Sequence, residues 1–417
     1  MRAPGGPRRS DREDIVVTGT GIRCNLGRSP LEVGSAVRAG KAPDFDRWQP
    51  RVKYRSRSNL VALYKGQDDL DKRSLRFMGR AARMACAGAA DACLAAQISA
   101  ETVRRYRVAV VVGSGTGDVD AVCEVYDLLR ERGTTRPVSP TAVPRIMGST
   151  VAANLALFLG ATGPAFVVSA ACAGGAVSMC VGALLLRAGL ADIAIVGGAE
   201  AADSIFHAAF EAARAYTTED RPDRACRPFS ADRTGFAFGE AAGILVLETR
   251  SLAIGRNVPP IGMLRGFAMR SNGHGGMVDP DLESAVATMQ GAIDDAGVQA
   301  ADVDYVNAHA TGTRAGDAIE VRAMRGVFAQ RRVHYSSTKG YTGHCVSAAG
   351  AIEAILTLEM LRGRWLASSA GATPLDEEFA DYPPLLEPTA SEAAIAVSNS
   401  FGFGGTYVSL VLGHGPV

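Results

Sequence analysis

The sequence is poor in several residue types and patterns, and each shortage excludes something. Among 417 residues there are only six histidines, two tryptophans and five lysines, the last against thirty-nine arginines. The lysine deficit reads as the coding bias of a GC-rich genome and bears on source, not on mechanism. None of the eight cysteines forms a Cys-x-x-Cys pair. In a chain this long they do not suggest a disulfide scaffold, no metal site is expected, and a reducing cytosol fits. A formal net charge of +1 removes any global attraction to nucleic acid or membrane. The longest apolar stretch, residues 180–199, is broken by Arg187 and Asp192, so no transmembrane helix is expected. Residues 1–14 lack the apolar core of a signal peptide. Residues 1–13 are expected to be a flexible tail and the protein to be cytoplasmic.

What is present is a large core. The chain is 47% hydrophobic with 47 glycines. Short Val/Ile-rich runs, such as Val108-Ala-Val-Val-Val112 and Ile193-Ala-Ile-Val196, alternate with Ala/Leu-rich segments of helical spacing. That alternation predicts α/β architecture with buried sheets. Residues 250–260 carry Arg, Gly, Asn and two prolines, and they predict a junction between halves spanning 14–256 and 257–417.

Three segments carry the chemistry. In Val167-Val-Ser-Ala-Ala-Cys-Ala-Gly-Gly-Ala176 a strand-like run meets a small-residue corner and then a long apolar helix. Cys172 therefore falls where first-turn amides and the helix dipole favour a thiolate. An isolated cysteine is more often a buried structural residue; two further segments change that balance. They are Val303-Asp-Tyr-Val-Asn-Ala-His-Ala-Thr-Gly-Thr313 and Tyr335-Ser-Ser-Thr-Lys-Gly-Tyr-Thr-Gly-His-Cys-Val-Ser-Ala-Ala-Gly350. Each ends a short strand with a histidine, His309 or His344, in a small flexible loop.

Together with Ser398-Asn-Ser-Phe-Gly-Phe-Gly-Gly-Thr406, these segments resemble the β-ketoacyl-acyl-carrier-protein synthases, specifically the elongating Cys-His-His subgroup. The resemblance implies a thiolase-like fold, with two related βαβαβαββ halves in a five-layer α-β-α-β-α sandwich. It implies that Cys172 accepts an acyl chain as a thioester and that His309 and His344 stabilise the enolate formed as malonyl thioester loses carbon dioxide. The backbone N–H groups of Cys172 and Phe403 would form an oxyanion hole. Lys339 and Glu320 would make a buried pair supporting the histidines. Thr311 and Thr313 would bind the phosphopantetheine arm, and Thr116 would lie at the end of the acyl pocket near a dimer interface. Lys72, Arg73, Arg76, Arg136 and Arg145 would form a basic rim for an acidic acyl carrier protein. No cofactor is expected beyond the phosphopantetheine that the carrier brings. The partner would be a second copy or a chain-length-factor-like subunit.

Several positions depart from the family's usual residues: Ala310 for glycine, Arg314 for proline, Cys345-Val-Ser347 for a run ending in glycine, and Tyr407 for asparagine. They point to a specialised substrate, with a type II polyketide favoured over a housekeeping fatty acid. Two other readings compete. A thiolase or initiating synthase acting on coenzyme A esters would use Cys-His-Cys or Cys-His-Asn sets. A non-catalytic chain-length partner would typically lack the cysteine.

Overall fold

A computed structural model describes residues 13–273 and 276–414. Ten strands form its main sheet, numbered here in chain order: β1 (Ile15–Arg23), β2 (Val108–Gly113), β3 (Ala165–Val168), β4 (Ile193–Glu200), β5 (Ala241–Thr249), β6 (Gly262–Ser271), β7 (Tyr305–Asn307), β8 (His334–Ser336), β9 (Ile395–Gly402) and β10 (Thr406–Gly413). Their spatial order is β8-β7-β9-β10-β6-β1-β5-β4-β2-β3. The first five strands run 3-2-4-5-1 and the second five repeat that order. The pairings repeat as well. β3, β2 and β4 are parallel neighbours, as are β8, β7 and β9, and the remaining pairs are antiparallel. The halves join through three residue pairs between β1 and β6, Ile15–Leu264, Val16–Met263 and Val17–Gly262. The duplication that the sequence hinted at is thus visible in the topology.

The layers follow from composition. Strands β2 and β4 are buried along their whole length, as strands covered on both faces must be. Helices α1 (Arg80–Ala95) and α5 (Leu282–Ala296) cover the outer faces, the first on β1 and β5, the second on β6 and β10. Helices α3 (Gly174–Arg187) and α7 (Ala349–Gly363) form the central layer between the two halves of the sheet and touch strands of both. Their N-terminal ends cross closely: a Cβ at Gly350 would stand 2.9 Å from that of Ala176. Glycine is needed there for the central layer to close. Three further helices matter to the site: α2 (Val119–Arg132), α4 (Ser204–Ala212) and α6 (Arg314–Val327). The expected five-layer, thiolase-like arrangement is the one observed.

Both central helices start in the same way. A single 3₁₀ turn, Ala171–Ala173 or Val346–Ala348, precedes each helix. Its first residue takes a positive φ, +46° at Ala171 and +44° at Val346. That region is sparsely populated for residues with a Cβ, and least of all for a β-branched one.

Candidate active site

Cys172 lies in the first of these corners and is 6% exposed. His344 comes from the loop before the second corner, so the two chain halves meet at the site. Its Nε2 is 3.0 Å from Cys172 Sγ. The His309 and His344 rings stand edge-on at 5.4 Å between centroids. The backbone N–H groups of Phe403 and of Cys172 itself are directed at the sulfur. A Cβ on Gly402 would lie 3.2 Å from Cys172 N, so any side chain there would crowd the nucleophile's backbone and require a small shift. Cys172, His309, His344, Phe403, Thr311 and Thr313 all line one pocket of about 360 Å³.

Burial governs the protonation of these groups. Desolvation pulls both imidazoles well below the usual histidine value, and the charge of Lys339 pushes them further down. Both rings are therefore neutral. The Cys172 thiol is pushed up to about 12 by burial, against the smaller opposing pull of Lys339 and the Phe403 N–H. This corrects the expected resting thiolate. The sulfur does sit at the helix start, but burial is the largest influence on it, and Lys339 with the N–H groups of Phe403 and Cys172 offsets that burial only in part. A thiol beside a neutral imidazole gives a pair between which one proton can pass, and the nucleophile arises in that transfer.

The support of the histidines also differs from expectation. Lys339 is fully buried and pairs with Glu353 on α7, not with Glu320. Glu320 instead grips the His309 loop. Its Oε1 and Oε2 accept the backbone N–H groups of His309 and Ala310, each at 2.8 Å, and Asn399 Nδ2 donates to Oε1 at 2.9 Å. Burial lifts this carboxyl to about 7. One turn earlier on α6, Asp317 Oδ1 accepts the N–H groups of Thr311 and Gly312. The loop is thus clamped by two carboxyls at i and i+3, which share a helix face. Glu353, Asp317 and Asn399 were missed in the sequence. Glu353 had a signal: it is a lone charge inside Ala349-Gly-Ala-Ile-Glu-Ala-Ile-Leu356, and a buried charge requires a partner.

Other expected residues lie apart. Thr116 is not among the residues lining the Cys172 pocket; with Glu200 it borders a cavity of about 50 Å³. Arg73, Arg76 and Arg136 are exposed. Arg145 is not a free rim cation: it is half-buried and held by Asp118 at 2.7 Å and Glu124 at 3.5 Å. Lys72 begins a one-turn helix, Lys72–Leu75, and its side chain lies outside the described residues. Of the expected tail, residues 1–12 also lie outside them, whereas the Glu13 carboxylate accepts the N–H of Ser251. Among the described residues no helix is long and apolar enough to cross a membrane.

Comparison with known proteins agrees with this geometry. Residues 12–253 match the model of the β-ketoacyl synthase N-terminal domain, and residues 261–373 that of its C-terminal domain. The chain belongs to the β-ketoacyl synthase family. It is 36% identical to 3-oxoacyl-[acyl-carrier-protein] synthase 2 of Staphylococcus aureus over 83% of this chain and 86% of that one. It is 32% identical to 3-oxoacyl-[acyl-carrier-protein] synthase 1 of Haemophilus influenzae over 95% and 98%. A β-ketoacyl synthase from Burkholderia phymatum superposes with a TM-score of 0.90 at 30% identity, covering 97% of this chain and all of that one. The ishigamide ketosynthase/chain length factor gives 0.88 at 26% identity over the same shares. The family is one of acyltransferase-type condensing enzymes, and this chain is such an enzyme.

Proposed function

We propose that the chain performs decarboxylative Claisen condensation, extending an acyl group held on Cys172 with malonyl-acyl carrier protein in a type II pathway, a specialised polyketide rather than a housekeeping fatty acid. The observation that carries this reading is the 3.0 Å contact of Cys172 Sγ with His344 Nε2, with a second neutral histidine in the same pocket. In the first half-reaction the thiol proton passes to His344 as sulfur attacks the incoming thioester. The carrier thiol leaves, and an acyl-Cys172 thioester remains. In the second, the malonyl carboxylate departs as carbon dioxide and its electron pair makes an enolate. Two neutral imidazoles can each donate an N–H to the enolate oxygen. The enolate carbon then attacks the acyl carbonyl, whose developing charge faces the N–H groups of Cys172 and Phe403. A carbon–carbon bond forms, the bond to Cys172 sulfur breaks with its electron pair left on sulfur, and one proton taken up from solvent restores the thiol.

Two histidines and a buried lysine weigh against the thiolase and initiating readings, and Cys172 weighs against a purely non-catalytic subunit. Thr311 and Thr313, at the pocket wall, suit the carrier's phosphopantetheine arm. The exposed Arg73, Arg76 and Arg136 suit the carrier's acidic face, and Lys72 joins them by its place in the sequence. Edge strand β3 pairs only with β2 among the described residues and leaves Phe166 38% exposed. That edge suits a second ketosynthase-type chain, identical or chain-length-factor-like. The test is intact-mass spectrometry of carrier protein incubated with enzyme and malonyl carrier. A β-ketoacyl product supports the reading; hydrolysis or exchange without elongation sinks it.

A further inference from the structure

The pocket that holds Cys172 carries two arginines to which the condensation steps give no role. Arg214 and Arg314 both line it, together with Thr311 and Thr313. Both arginines are exposed, whereas Cys172 and His344 are buried, so the guanidinium groups mark the outer end of the pocket and the sulfur its inner end. Two carboxyl groups share the lining, Asp279 and Glu320. Glu320 is buried and committed to the N–H groups of the His309 loop. At the mouth two cations therefore stand against one exposed carboxylate, and the excess of positive charge there favours an anion.

Neither arginine suits its backbone. Arg214 follows α4 at a φ of +58°, a conformation that glycine adopts at much less cost. Its side chain makes no hydrogen bond or ion pair with any described residue. Arg314 is the first residue of α6, a place where the family's usual proline is favoured by its fixed φ. Its Nη2 donates to the carbonyl of Ala231 at 3.1 Å, and its Nη1 lies 3.9 Å from Asp376. That carboxylate already holds the buried Arg233 at 2.5 Å. Arg314 is thus anchored by one carbonyl, and most of the five N–H donors of its guanidinium remain free. The helix behind it adds to the field: Ala315 and Gly316 line the pocket as well, and no side chain of Thr313 caps the first turn.

We propose that Arg214 and Arg314 bind the phosphate at the outer end of the phosphopantetheine arm, and that Arg314 makes loading of this chain depend on that phosphate. The thioester end of the arm must reach Cys172. The phosphate is the opposite end of the arm and its only charged group, so it is the part left at the mouth. A phosphate ester accepts several N–H bonds at once and matches the planar fork of a guanidinium. Proline at position 314 would offer it neither charge nor donor. The inference rests on the ketosynthase reading and specifies what the mouth of its pocket recognises.

The experiment follows loading of Cys172 by intact mass, using the full chain and one acyl group on three small thiols: pantetheine, 4′-phosphopantetheine and coenzyme A. Below saturation the phosphopantetheine ester should load about tenfold faster than the pantetheine ester, through KM and not through kcat. That ratio should fall in Arg314→Pro and in Arg214→Gly, and approach one in the double variant. Both substitutions ease the backbone where they stand, and the ratio compares two esters on the same preparation, so misfolding does not imitate the effect. Equal loading of the two esters by the native protein overturns the proposal. So does a preference that survives the double variant. Coenzyme A carries the same arm, extended by a second phosphate and a nucleotide. If its ester loads faster than the phosphopantetheine ester and the double variant removes that gain, the arginines serve the nucleotide end and the proposal fails. Failure of all three esters to load Cys172 would overturn the ketosynthase reading with it, whereas loading without phosphate preference overturns this inference alone.

Discussion

The two corners that open α3 and α7 are built alike and used differently. Each begins with a residue at positive φ, turns once as a 3₁₀ helix and enters a buried central helix. In the first corner the next residue is Cys172, which faces His344. In the second it is Ser347, which faces Glu200 and the carbonyl of Ala171. The same backbone device thus presents a nucleophile in one half and braces that nucleophile's own turn from the other. Conformation alone does not make a catalytic group. The difference lies in what the side chain meets: an imidazole for the sulfur, a carbonyl oxygen for the hydroxyl.

Four substitutions or measurements test that contrast, and the largest effect comes first. Cys172→Ala should abolish acyl-enzyme formation and condensation entirely, and Ser347, though it shares the conformation, should gain no acyl mass in its place. A mass increment on the variant would mean that the second corner is also nucleophilic. Next, Glu353→Ala should leave Lys339 charged and unpaired inside the protein, at a cost of about 3–5 kcal/mol in stability. Denaturant unfolding reads this directly, and a loss below about 1 kcal/mol would show that another group neutralises Lys339. Third, His309→Ala or His344→Ala should slow malonyl decarboxylation by on the order of a hundredfold or more, while Cys172 remains open to acylation in the His309 variant. Near-normal decarboxylation in either variant removes that ring from the mechanism.

The fourth test concerns pH. A thiol lifted to about 12 is mostly protonated at every ordinary pH. Since the thiolate is the reactive form, alkylation of Cys172 by a neutral reagent such as iodoacetamide should rise about tenfold per pH unit and keep rising beyond pH 9. A plateau between pH 6 and 8 would restore the dipole-stabilised thiolate that the helix start alone suggests. The measurement thereby decides whether the corner or its burial sets the chemistry of the sulfur.

The nucleophile and both histidines were legible in the sequence because each ends a short apolar strand in a loop of small residues, a local pattern. The architecture was legible from the alternation of strand-like and helical runs. The partner of Lys339 was not. Glu320 and Glu353 stand in helices on either side of it in the chain, and only packing decides which one reaches the ammonium. Glu320 is drawn off by two N–H groups of the His309 loop, whereas Glu353 has no such loop to serve. The burial that pushes the Cys172 thiol upward was not legible either, for a related reason. A dipole can be read from a helix start, but desolvation depends on the layers that close over it. Thr116 was placed at the end of the acyl pocket by motif position, and in the structure it borders a cavity beside Glu200 that Cys172 does not line.

The scarcity of lysine has a practical side. Lys339 is fully buried, whereas Lys41, Lys53 and Lys65 are exposed. Amine-reactive chemistry therefore has few handles on this protein, and the one ammonium that supports the histidines is out of reach. Coupling to an activated resin or labelling with a succinimidyl dye should leave the condensing centre chemically untouched, and the protein could be immobilised through a small, defined set of surface amines without poisoning itself.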